Sequence, residues 1–106
     1  MTTPKVLNQI SQKGNILFVQ ADQNYSVFHL ENGTTVTSGY TLKFHQDYLK
    51  SSDFLRINRS LLIHKSYVLK IKDMDNSSYV ILKNGKKVLI SRRRVNEVKE
   101  HYGIAN

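Results

Sequence analysis

Two clusters of polar residues carry the types and spacing that chemistry needs. The first is Phe54-Leu-Arg56-Ile-Asn58-Arg59-Ser60-Leu-Leu-Ile63-His64, where an apolar strand pattern delivers Arg56, Asn58, Arg59 and Ser60 to a turn. The second is Ser91-Arg92-Arg93-Arg94, at the start of a helical pattern. Arginine offers a planar donor fork that matches guanine O6/N7 or two phosphate oxygens, asparagine pairs with adenine, and serine bonds phosphate. Three consecutive arginines at a helix start oppose the helix dipole. The free N–H groups at that end favour an anion, so an anionic partner accounts for both facts. The plainer alternatives are an Arg56–Asp53 ion pair and an exposed basic helix start.

The charge distribution points the same way. The 106 residues hold 16 Lys+Arg against 8 Asp+Glu, a net charge of +8. In residues 1–53, Lys5, Lys13, Lys43 and Lys50 balance Asp22, Glu31, Asp47 and Asp53, so the whole excess lies in residues 54–106. A basic excess confined to one half suggests one basic face, and nucleic acid is the foremost polyanionic partner.

Other chemistries find no constellation. The absence of cysteine excludes a disulfide scaffold, a thiolate zinc site and a cysteine nucleophile. His29, His45, His64 and His101 are widely spaced and read as half-exposed or core-edge side chains, without the i, i+4 pairing of a metal helix. The glycines are isolated, so no phosphate-cradling loop forms. Asp73-Met-Asp75-Asn-Ser-Ser lacks the glycine and terminal glutamate of a calcium loop and reads as a polar hairpin loop. No enzyme activity, metal or cofactor is expected. No apolar run approaches the ~20 residues of a membrane span, and the first residues lack a signal-peptide pattern, so a cytoplasmic protein without membrane contact is expected.

The elements that must position these clusters are mostly strands. Residues 16–21 form a short apolar run, the mark of a sheet centre. Residues 25–31 and 34–38 flank Asn32-Gly33, and residues 79–83 and 87–90 flank Asn84-Gly85; both read as hairpins with type I′ turns. Residues 41–49 carry Leu42, His45, Tyr48 and Leu49 at helical spacing, with Thr41 or Ser38 as N-cap. Residues 54–57 and 67–71 read as strands, with residues 60–63 between them as a tight apolar turn. Ser91 reads as an N-cap for Val95, Val98 and Tyr102, with Gly103 as the stop. About seven strands and two short helices make one domain over residues 15–103, after a leader over 1–14 and before a tail over 104–106.

At these residues the sequence resembles the LytTR family of bacterial DNA-binding domains. That family carries an F-x-R-x-H-R-S-x-x-V-N stretch, then a hairpin ending n-G-x-x-[ILV]-x-[ILV]-S-R. Here they stand as Phe54 to His64 and as Asn84-Gly85-Lys-Lys-Val88-Leu-Ile90-Ser91-Arg92, with the family's n-Y strand as Asn24-Tyr25. Asn58 replaces the usual histidine and His64 the usual asparagine. The resemblance spans roughly residues 15–100. It implies a mainly β fold, an elongated sandwich of small, mostly antiparallel sheets with one or two short helices, which binds double-stranded DNA through loops in the major groove. It implies a transcriptional regulator of a two-component system, acting on paired direct repeats. By that analogy Arg59, Arg93 and Tyr25 are base-directed, the register among Arg92, Arg93 and Arg94 remaining open. Asn24, Asn58, Ser60, Lys65, Ser91, Arg92 and Arg94 contact phosphate or support.

The chain is expected to be a monomer in solution, with two copies on DNA. A receiver or sensor partner would need about 120 residues beyond this chain, which leaves open a stand-alone regulator or part of a longer one. The alternative is an RNA- or single-strand-binding β-barrel module. It is disfavoured because the six Tyr and four Phe are scattered rather than interleaved with the basic clusters.

Overall fold

The computed structural model describes residues 15–49 and 53–103; the leader over 1–14 and the tail over 104–106 lie outside them. The chain runs β1 (Ile16–Asp22), β2 (Tyr25–Leu30), β3 (Thr35–Ser38), α1 (Leu42–Tyr48), β4 (Phe54–Asn58) and β5 (Leu61–His64). A 3-10 turn (Lys65–Tyr67), β6 (Val68–Met74), β7 (Ser77–Leu82), β8 (Lys87–Leu89), a second 3-10 turn (Arg92–Arg94) and α2 (Val95–His101) follow. All strand pairs are antiparallel. They form a five-stranded sheet, β3-β2-β1-β5-β4, and a three-stranded sheet, β6-β7-β8. The molecule measures 41 × 27 × 25 Å. The mainly β reading holds.

Period-2 patterning builds the sheets. Ser26, Phe28 and Leu30 of β2 are buried in alternation, as are Ser78, Val80 and Leu82 of β7. One core lies between the two sheets and α2, joining Leu55, Ile57, Leu61 and Ile63 to Val80, Leu82, Ile90 and Val98. The other lies under α1, joining Leu42 to Val19, Phe28, Leu30 and Leu62. The large sheet is therefore covered on both faces.

That double cover corrects the reading of residues 60–63 as a turn. Leu61, Leu62 and Ile63 are all buried, with Leu61 and Ile63 facing one core and Leu62 the other. They form β5, which pairs with both β1 and β4. The turn is confined to Arg59-Ser60, and the strands among the described residues number eight.

The Asn-Gly hairpins form where expected, but with a different turn. Only Gly33 and Gly85 take positive φ, each +88°, while Asn32 and Asn84 do not. The Gly33 N–H donates to Leu30 O at 3.0 Å, and Leu30 N–H donates to Thr34 O at 3.0 Å. Leu82, Gly85 and Lys86 repeat this pattern. These are three-residue loops ending in a left-handed glycine, not two-residue type I′ turns. Paired positive φ occurs instead at Asp75 and Asn76, in the polar hairpin loop between β6 and β7.

Thr41 caps α1, its Oγ1 accepting from Phe44 N–H at 3.3 Å. α1 buries His45 completely, correcting its reading as a half-exposed or core-edge residue. His45 Nε2 lies 2.7 Å from Ser38 Oγ, and Nδ1 has no hydrogen-bond partner. An imidazolium needs partners for two N–H donors and finds one, in an apolar surround. Burial accordingly pushes its pKa down to about 4. Because the folded value lies below the unfolded ~6.5, the unfolded chain takes up the proton first as pH falls. Stability from this group is intact above pH ~6.5 and declines toward pH 4, by about 2.5 kcal/mol at pH 4.5. Urea midpoints at pH 7 and 4.5 check this; His45→Gln should lose distinctly less on acidification than the parent.

Candidate nucleic-acid interface

Three loops meet at one end of the large sheet. β1 runs antiparallel to β5, pairing Gln20 with Leu61, and Ala21 N–H donates to Ser60 O at 2.9 Å. The β1–β2 turn, with Asn24 and Tyr25, therefore lies beside the β4–β5 turn, with Arg59 and Ser60. The third segment is tied in by Ser91 N–H, which donates to Ile57 O at 3.0 Å, and by Asn58 Nδ2, which donates to Leu89 O at 2.8 Å. Antiparallel register and two bonds across sheets thus assemble residues separated by as many as 70 positions.

Within this end the polar side chains divide into two kinds. Arg56 turns inward: Nε donates to Asn58 O at 2.6 Å, Nη2 to Arg59 O at 2.7 Å and Nη1 to Gln46 Oε1 at 2.7 Å. It makes no pair with Asp53 and binds neutral oxygens only. Burial, then the nearby Arg94 and Arg93, lower its pKa. Asn58 also turns inward, its Oδ1 accepting from Ser60 N–H at 2.8 Å while Nδ2 reaches β8. Together the two side chains fix the turn that carries Arg59. Asn24, Tyr25, Arg59, Ser60, Arg92 and Arg93 are exposed, Tyr25 to 54%, while Ser91 and Arg94 are half-buried.

The arginine cluster does not open the helix directly. Arg92–Arg94 form a 3-10 turn, and α2 starts at Val95, with Val98 anchoring it in the core. Ser91 makes no side-chain cap bond there; its Oγ lies 3.5 Å from Ile57 O instead. The Arg94 N–H donates to Ser91 O at 2.8 Å, closing the turn. Gly103, with φ of +70°, ends α2 as expected.

Lys65 is not brought to this end. It follows β5 at the opposite pole, about 13 Å along the strand, where it pairs with Asp53 at 3.7 Å. Its carbonyl accepts from the Tyr102 hydroxyl at 2.8 Å, and burial pushes that phenol up to about 12. His64, which stands in the usual asparagine position, caps the same 3-10 turn: its Nδ1 accepts from Ser66 N–H at 3.2 Å. Two residues that the sequence reading did not single out as site residues join the basic end, Lys43 and Gln46 of α1. Lys43 has a signal in the helix pattern, since it lies off the apolar face of Leu42 and His45, whereas Gln46, one turn from Leu42, has none.

Among the described residues no cluster of His, Asp or Glu could hold a metal ion, and no helix is long and apolar enough to cross a membrane. A family model described as the LytTr DNA-binding domain matches residues 10–103. The sensory transduction protein LytT of Bacillus subtilis is 32% identical over 80 residues, 74% of this chain and 32% of that protein. An uncharacterized response regulatory protein of Yersinia pestis is 35% identical over 72 residues, 67% of this chain and 30% of its own length. The chain spans about a third of the length of these curated relatives. A solved LytTr DNA-binding domain of a Bacillus cereus response regulator shares the fold, with a TM-score of 0.71 and 21% identity over 85% of this chain and 83% of that one. The motifs around Arg59 and Arg92, the two-sheet fold and a family match over nearly the whole chain agree: the protein belongs to the LytTr DNA-binding domain family.

Proposed function

We propose that the three-loop end binds double-stranded DNA sequence-specifically in the major groove, and that the protein regulates transcription from paired direct repeats in the bacterial cytoplasm. The observation that carries this reading is the mounting of Arg59. Its turn is clamped by Arg56 and Asn58 while its own side chain stands free at the surface, the arrangement a base-reading residue requires. Arg93 projects from a 3-10 turn held between Ser91 and the anchored α2. Tyr25 supplies an exposed ring beside them. Asn24, Ser60, Ser91, Arg92 and Arg94 are positioned for the phosphate backbone, Asn58 acts as a brace, and Lys65 lies away from the contact. The domain acts as a monomer that doubles on DNA, under a receiver or sensor outside this chain.

In-vitro selection of duplexes tests the reading and yields the repeat spacing. With about six phosphate contacts, log K falls against log salt with a slope near −5. Arg59→Ala and Arg93→Ala should each cost about 2 kcal/mol on the selected site and flatten preference at one base position. Arg94→Ala should weaken selected and scrambled duplexes alike and reduce the slope by about one. Equal losses on both duplexes for Arg59→Ala would make that residue a phosphate clamp. Preference for single strands at matched salt would favour the β-barrel-like alternative, with Tyr25 as a stacking platform.

A further inference from the structure

Lys43, Gln46 and Asp47 share one face of α1, because positions three and four apart are neighbours on a helix. That face meets Arg56, Arg93 and Arg94 around a cleft of about 290 Å³. Four cations and a single carboxylate line it. The ion pairs among the described residues, Lys65–Asp53 and Lys99–Asp73, involve none of these cations. Arg56 is spent on neutral oxygens, and the proximity of Arg94 and Arg93 adds to the burial that lowers its pKa. A cluster of positive charge that the protein leaves uncompensated is stabilised by an anion.

The shape selects which anion. Lys43, Asp47 and Arg93 are exposed, whereas Gln46, Arg56 and Arg94 are half-buried. A free ion there keeps much of its hydration and gains little. A phosphate tethered to a duplex already held by the adjacent loops arrives at high effective concentration. Asp47 at the rim opposes a second negative charge, which suits a phosphodiester monoanion better than a phosphate dianion. Arg93 and Arg94 belong both to the cleft and to the three-loop end, so the two surfaces are continuous.

We propose that this cleft seats one backbone phosphate of the bound duplex, with Lys43 and Arg94 as its cationic ligands and the Arg56–Gln46 bond as its fixed floor. The proposal rests on the duplex-binding reading and extends the footprint from the loops onto α1.

Lys43→Ala removes an exposed ammonium that takes part in neither ion pair. Loss of one phosphate contact should weaken binding to selected and scrambled duplexes equally, roughly eightfold at 0.1 M salt, and flatten the salt slope by about 0.9. Lys70→Ala, exposed on β6, should change neither. Neutral methylphosphonate linkages scanned along each strand should reveal one position that weakens the parent by at least that factor and Lys43→Ala by distinctly less, the remainder being the Arg94 contact. Parent-like binding by Lys43→Ala, with Arg59→Ala still losing discrimination, overturns the cleft and keeps the duplex reading. A parent protein that binds no duplex overturns both. Inorganic phosphate titrated against the backbone amide NMR signals of Lys43 and Arg94 then separates a free-phosphate site from no site.

Discussion

Ile63→Ala should lower the unfolding free energy by about 3–4 kcal/mol, within the ~2–5 kcal/mol range for deleting a fully buried aliphatic side chain that leaves a cavity. Ile63 is 0% exposed in the core between the sheets. It sits in β5, an interior strand of the large sheet, opposite Phe18 of β1 and Leu55 of β4. Neighbours hydrogen-bonded into a sheet on both sides cannot collapse far into the space it vacates, which places the expected cost toward the upper part of that range. Urea denaturation should show the loss as a shifted midpoint with an unchanged slope. Leu69→Ala makes the comparison, since a side chain 61% exposed on β6 should change stability by no more than about 0.5 kcal/mol. A small effect at Ile63 would return residues 60–63 to a surface turn and dismantle the five-stranded sheet order.

Arg56→Met should cost about 3 kcal/mol of stability and also weaken DNA binding, although Arg56 braces the proposed contact and is not itself one of its ligands. Methionine keeps the apolar stem but removes three donors. It leaves the carbonyls of Asn58 and Arg59, and Gln46 Oε1, without their partner. Each lost bond to a charged donor is worth about 1.5–3 kcal/mol, reduced here because water can reach part of the site. The turn carrying Arg59 then samples more conformations, and base discrimination falls with it. Lysine at this position restores the charge but not the three-way fork, so it should recover only part of either loss. Thermal unfolding and duplex binding, measured on the same samples, separate the possibilities. Arg59→Ala should change binding with little change in midpoint, while Arg56→Met should change both. Unaltered stability in Arg56→Met, with equal loss on selected and scrambled DNA, would make Arg56 a direct phosphate ligand.

Much of the architecture is written locally. Alternation at Ser26, Phe28 and Leu30, and again at Ser78, Val80 and Leu82, specifies strands with one buried face, because a period of two has few other outlets. Leu42 and His45 after Thr41, and Val98 ahead of Gly103, specify two short helices with their ends. The position of each Asn-Gly hairpin, the confinement of excess charge to residues 54–106 and the family motifs around Arg59 and Arg92 are equally legible.

What the chain could not state locally is which surfaces meet. Leu61, Leu62 and Ile63 look like an apolar turn until a sheet with cores on both faces supplies cover for all three. His45 is legible as a helix position, yet its complete burial depends on Phe28, Tyr40 and Phe44 closing around the ring. Arg56 carries the same donors as Arg59 and Asn58 is as polar as any contact residue, yet partners in their own turn, on Gln46 and on Leu89 draw both inward. Lys65 is six residues from Arg59, but the extended β5 between them sends it to the other pole. Lys43 is 50 residues from Arg93, and the packing of α1 over β1 and β5, with the Gln46–Arg56 bond, brings it alongside. Periodicity and turn chemistry depend on neighbours in sequence, so they can be read along the chain. Satisfying every buried polar group and covering every apolar face is settled across the whole molecule, between residues that sequence keeps far apart.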